Sequence, residues 1–131
     1  RHMMTGPLGP SELRVRGDMP LQDAILLSTF PEVGSAQEEH AFKAVSERVK
    51  LTRYGLDCYG YALLAAGQVD LVIEAGLAPY DIQAPMAVIE AAGGIVTDWA
   101  GGPAHHGGRV LAAAGQAQHA AAMDILSTII D

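Results

Sequence analysis

Positive charge is what this sequence has least of. Eight Lys and Arg stand against fifteen Asp and Glu, for a formal net charge of −7. A nucleic-acid-binding face needs clustered cations to displace counterions from phosphates, and these eight are scattered along the chain. An anionic membrane surface is disfavoured for the same reason. Cysteine is nearly absent as well: Cys58 stands alone, so no internal disulfide can form, which suits a reducing, cytoplasmic setting. No apolar run reaches the roughly 18–20 residues of a spanning helix, and the start, Arg1-His2-Met3-Met4, has no signal-peptide pattern. Aromatics are scarce, with two Phe, four Tyr and one Trp, so the core has to be built from Ala, Val, Leu and Ile.

What is there suits a globular domain. The chain has 131 residues, of which 50% are apolar, enough for one ordinary core. Fifteen glycines point to many tight turns. Residues 1–17, with Thr5-Gly6-Pro7-Leu8-Gly9-Pro10, read as a linker or irregular lead-in, and 18–131 as the domain. Ala24–Thr29 reads as a buried strand ended by Pro31. Ser35, with Glu38 three residues on, makes a capping box for a helix over 36–48. Val49–Tyr54 alternates as a second strand and stops at Gly55. Asp57 can cap a helix that runs through Ala62, Leu63 and Leu64 to Gly67. Asp70–Ile73 is a third strand, ending at Glu74. Pro79 precedes a helix over 81–92, stopped by Gly93-Gly94. Ile95–Thr97, a turn at Gly101-Gly102-Pro103, a strand Arg109–Ala113 and a helix over 116–130 complete the chain. Strand and helix alternate with short links, which predicts a layered α/β/α domain with a mixed sheet of about five strands.

In α/β sheets, ligands gather at the carboxyl ends of strands and the starts of the following helices. Asp57, Glu74 and Asp81 all fall there. Each alone could be a helix cap. Three carboxylates converging on one sheet edge suit a hard, oxygen-liganded cation such as magnesium, and magnesium suits phosphoryl transfer.

Glu74-Ala75-Gly76-Leu77-Ala78-Pro79-Tyr80-Asp81-Ile82, followed by Val88-Ile89-Glu90-Ala91-Ala92-Gly93-Gly94, resembles the C-terminal signature of the inositol monophosphatase family. Gly101-Gly102-Pro103 and the strand Arg109–Ala113 fit that family's closing segment, so the resemblance covers about residues 24–126. It implies a magnesium-dependent phosphate monoester hydrolase. Asp81 then resembles the Asp that binds the second metal ion and orients the attacking water. Glu74 resembles the Glu that contacts the non-phosphate part of the substrate, and Gly55-Leu56-Asp57-Cys58-Tyr59 occupies the other substrate-recognition loop. The Gly-x-Asp-Cys-Tyr form is similar to the histidinol-phosphatase branch. Asp57 and Glu74 together would favour a cationic leaving group such as histidinol over a neutral polyol, although Asp57 serves equally well as a plain cap.

Two departures are small: Tyr80 stands where the family has Trp, and Pro85 falls in the first turns of its helix. The family's upstream metal ligands, a loop Glu and an Asp-Pro-Ile-Asp-Gly-Thr-like segment, have no counterpart here. The expectation is therefore a C-terminal half whose N-terminal metal-binding domain is absent, inactive or nearly so alone. Its partners would be a small phosphorylated substrate, the missing domain and a second copy of itself, with inositol phosphate or another small polyol phosphate as the alternative substrate. A non-catalytic interaction domain using the uncovered docking face is the reading from another class. Of the remaining residues, His105-His106 reads as a solvated loop, His2, His40 and His119 as surface residues, Cys58 as a small buried side chain and Trp99 as packing. Arg53 could pair with Asp57, touch substrate or simply face solvent.

Overall fold

The computed structural model describes residues 3–6, 9–30 and 33–129. The first elements are two short antiparallel strands, β1 (Met3–Gly6) and β2 (Gly9–Glu12). They lie where the composition predicts an irregular lead-in. Gly and Pro argue against strands on propensity, but a hairpin this short needs only backbone pairing. The segment after it is also held in place: Val15 N–H donates to the Ala92 carbonyl at 3.1 Å, and Leu13 and Val15 pack against the core.

The main sheet contains β3 (Ile25–Leu27), β4 (Leu51–Arg53), β5 (Leu71–Leu77), β6 (Ile95–Thr97) and β7 (Gly108–Ala113), in the order β4-β3-β5-β7-β6. β3 runs parallel to β4 and β5, and β7 antiparallel to β5 and β6. It is the mixed five-stranded sheet that the alternation predicts. The helices are α1 (Ala36–Ser46), α2 (Tyr59–Ala65), α3 (Pro79–Ala91) and α4 (Gln116–Ile129). Pro31 and Ile130, expected to end one strand and one helix, lie outside the described residues.

The chain steps from β3 to β4 in one direction and from β4 back past β3 to β5 in the other. With crossovers of one hand, that reversal puts α1 and α2 on opposite faces. The core is accordingly double. Leu26, Leu71, Ile73 and Leu111 face Phe42 and Val45 of α1 and Leu126 of α4. Leu27, Val72, Val110 and Ala112 face Tyr61 and Leu64 of α2 and Ile82 and Ile89 of α3. The strict alternation along β5 is the signature of a strand buried on both faces.

Several local expectations shift by a turn or less, each for a visible reason. The capping box at Ser35 is present, with Ser35 Oγ accepting from Glu38 N–H at 3.2 Å and Glu38 accepting from Ser35 N–H at 2.8 Å. Asp57 does not cap α2. It sits in the left-handed region at φ 47°, and Cys58 takes the cap position without a side-chain bond. β5 does not stop at Glu74. A bulge between Glu74 and Leu77, with Gly76 at φ 74°, carries it three residues further. α3 starts earlier than expected, at Pro79, so Pro85 lies mid-helix rather than in the first turns. Having no N–H, it leaves the Asp81 carbonyl without its helical partner. The start of α4 is capped from a distance, because Asp18 accepts from Ala117 N–H at 3.1 Å.

Candidate functional site

Because β3, β4 and β5 run in one direction, their carboxyl ends share one sheet edge, and a cleft of about 810 Å³ opens there. Thr29 and Phe30 enter it from the end of β3, Asp57 and Cys58 from the loop after β4, and Glu74 through Leu77 from the end of β5. Tyr61 of α2 and Tyr80, Asp81 and Val88 of α3 form the walls.

Glu74 is central to this cleft. Alternation along β5 puts it on the same face as Val72, towards α2 and α3. Only 7% of it is exposed. Thr29 Oγ1 donates to its Oε2 at 2.6 Å. Burial pushes its carboxyl above the ordinary carboxylate range. The hydroxyls of Thr29 and Tyr61 pull it back down, and the charges of Asp57 and Asp81 push it up again. The phenol of Tyr61 is 2% exposed; its hydroxyl is near enough to Glu74 for the two to interact, but the pair does not reach hydrogen-bond geometry. Burial first, and the negative charge of Glu74 second, hold its proton on well beyond the usual range.

Asp81 lies in the first turn of α3, where its Oδ2 accepts from the Ala78 N–H at 3.0 Å. It therefore does act at a helix start, though Ala78 has no side-chain acceptor to complete a capping box. Asp57 is exposed, on a loop pinned by Gly55 N–H donating to the Thr29 carbonyl at 2.9 Å. Gly55 itself, at φ 87°, makes the turn but does not line the cleft. Three of the four residues that the sequence singles out are thus brought together. The pattern misses Thr29, hidden at the end of an apolar run, and Tyr61, which shares the buried helical stripe of Leu64 and Ala65.

Elsewhere, two expectations are corrected. Cys58 is exposed at the cleft rather than buried. His119 is buried, with Nε2 2.8 Å from Thr97 Oγ1, and burial holds its imidazole below the ordinary value. Trp99 packs as expected, 3% exposed, with Nε1 donating to the Val110 carbonyl. His40, His105, His106 and Arg53 are exposed.

Among the described residues, no three His, Cys, Asp or Glu side chains converge closely enough to hold a metal ion. Asp81 can supply one carboxylate to a shared site, but these residues do not compose a magnesium site by themselves. No helix among them is long and apolar enough to cross a membrane.

The chain matches the family model described as the inositol monophosphatase family over residues 2–130. It is 49% identical over 94 residues to the chloroplastic bifunctional phosphatase IMPL2 of Arabidopsis thaliana, covering 72% of this chain and 27% of that one. Similarity to the inositol-1-monophosphatase of Mesorhizobium japonicum is 32% over 94 residues, covering 69% and 35%. Among solved structures, an inositol monophosphatase from Zymomonas mobilis superposes with a TM-score of 0.84 at 33% identity, covering 88% of this chain and 46% of that one. The chain therefore spans between about a quarter and about half of the length of these relatives.

Proposed function

Because this chain belongs to the inositol monophosphatase family, we propose that it forms the substrate-selecting side of a magnesium-dependent phosphate monoester hydrolase. Its first substrate class is small polyol phosphates, inositol phosphate among them. The observation that carries this is the cleft at the carboxyl edge of the parallel strands, which Asp57, Glu74 and Asp81 all line. The resemblance to an inositol-1-monophosphatase supports the polyol class.

Magnesium, when bound, would polarise the phosphate and make a bound water nucleophilic at neutral pH. Asp81 is the residue assigned to it here. Its other ligands would come from residues outside this chain. The work of this chain is then selection and placement. Thr29 fixes one oxygen of Glu74, which leaves the carboxyl oriented to accept from a hydroxyl of the leaving alcohol. The α2 and α3 walls, with Ala62, Ala84 and Val88, are apolar and keep water from competing for those bonds. The exposed rings of Phe30, Tyr59 and Tyr80 lie around this end of the molecule, where the rest of the enzyme or a second copy would cover them.

A second reading, histidinol phosphate, is favoured by the acidity of the cleft. Three carboxylates with no Lys or Arg among the lining residues make a field that attracts an amine. Asp57→Asn separates the two readings, since Asn tolerates the left-handed conformation as well as Asp does. In the full-length protein, comparable losses of kcat/KM on inositol 1-phosphate and histidinol phosphate support the polyol class. A loss at least about tenfold larger on histidinol phosphate, equivalent to ~1.4 kcal/mol, moves the assignment to the amine. Failure to hydrolyse either ester with magnesium overturns both.

A further inference from the structure

Tyr61 carries an unpartnered polar atom in the core of the site. Its ring is fixed in the α2 stripe against Leu64 and Val72, its hydroxyl is buried without a hydrogen bond, and it lines the cleft on the same side as Glu74. A buried hydroxyl left unpaired is unfavourable, and in a native structure it calls for a specific reason, a role in the site it lines being one. Its oxygen is almost closed to solvent, and Glu74, which lines the same cleft, lies close enough to interact with it without completing a hydrogen bond. Thr29 already holds Oε2 of that carboxylate. Resting on the proposed phosphatase reading, we infer that Tyr61 is a positioning residue for substrate selection: its hydroxyl closes on Glu74 when a substrate hydroxyl or amine occupies the cleft. Thr29 and Tyr61 then clamp the carboxyl from two sides.

The clamp matters because a carboxylate on a free side chain accepts from any donor in many geometries. One held by two hydroxyls offers its remaining lone pairs in a single direction. Tyr61 therefore acts only on substrates whose leaving group presents a donor to Glu74. An ester whose leaving group has no donor does not use it. Nothing covalent changes, and the Tyr61 proton stays on its oxygen.

The test compares kcat/KM for inositol 1-phosphate, whose leaving group is rich in hydroxyls, with that for 4-nitrophenyl phosphate, whose leaving group has none. The full-length protein is assayed as wild type, Tyr61→Phe and Thr29→Val. A fraction of misfolded enzyme lowers both rates equally and cancels in the ratio. Loss of one such bond is expected to lower the inositol-to-nitrophenyl ratio about fivefold in Tyr61→Phe, mostly through KM, with a similar change in Thr29→Val. An unchanged ratio in Tyr61→Phe overturns the inference while leaving the phosphatase reading intact. A wild-type enzyme that hydrolyses neither ester overturns the phosphatase reading, and this inference with it.

Discussion

Burial and two neighbouring carboxylates raise the proton affinity of Glu74, and the hydroxyls of Thr29 and Tyr61 offset them only in part. The folded state thus holds this proton more tightly than the unfolded chain does. Below the ordinary value of 4.5 both states are protonated, and Glu74 makes no difference to stability. As pH rises from there to the folded value, the unfolded chain ionises first and stability is lost. Glu74→Gln keeps the shape and removes the titration. Urea unfolding is expected to find it more stable than wild type at pH 8, with the gap closing towards pH 4. A gap that widens on acidification would contradict this. His119 has the opposite sign: burial depresses it, so its contribution is present above the ordinary imidazole value of 6.5 and lost as pH falls through the folded value. Asp57, Glu74 and Asp81 were legible in the sequence because carboxylates placed just after parallel strands must share an edge. Thr29 and Tyr61 were not, since nothing local says that a Thr just past β3 and a Tyr on α2 lie beside the same Glu on β5.

At the scale of the element, the punctuation was readable and the exceptions were tertiary. Gly55, Gly67 and Gly93-Gly94 marked the ends of β4, α2 and α3 to within a residue or two. The overrun of β5 came from a bulge at Gly76, which no alternation pattern announces. The hairpin of β1 and β2 has no such mark, because Gly and Pro there signal only turns. Gly94 shows why one of these marks has to be glycine: a Cβ would lie 2.6 Å from Ile89 Cγ2 and 3.0 Å from the Ala113 carbonyl. Gly94→Ala is expected to destabilise the fold by about 1–3 kcal/mol. The start of α1 is tied to β7, since Arg109 Nε donates to Glu38 Oε2 at 2.6 Å while Glu38 also closes the capping box. Burial raises the Glu38 carboxyl, but Arg109 and the Ser35 backbone outweigh it and hold it low. Its contribution is therefore present at neutral pH and fades on acidification through the folded value. Glu38→Gln is expected to lower stability at pH 7 by roughly 1 kcal/mol, allowing for the partly exposed Arg109, and to approach wild type in acid. Chemical denaturation at the two pH values checks it.

Across the whole molecule, the layered α/β/α architecture follows from strands hydrophobic on both faces and from a reversal in strand order, β3 to β4 one way across the sheet and β4 to β5 back past β3 the other. The same reversal opens the cleft, so fold and site have one origin. The acidic lining, with no cation among its residues, fits a site that meets phosphate through metal. On the function proposed above, Asp81 serves a magnesium-dependent phosphatase. The most direct test is phosphate release from inositol 1-phosphate by the full-length protein with magnesium, wild type against Asp81→Asn. Asn can still accept from Ala78 N–H, so α3 should keep its start and the thermal midpoint should barely move. A loss of at least about a hundredfold in kcat is expected. Wild-type turnover in a folded Asp81→Asn enzyme would contradict it.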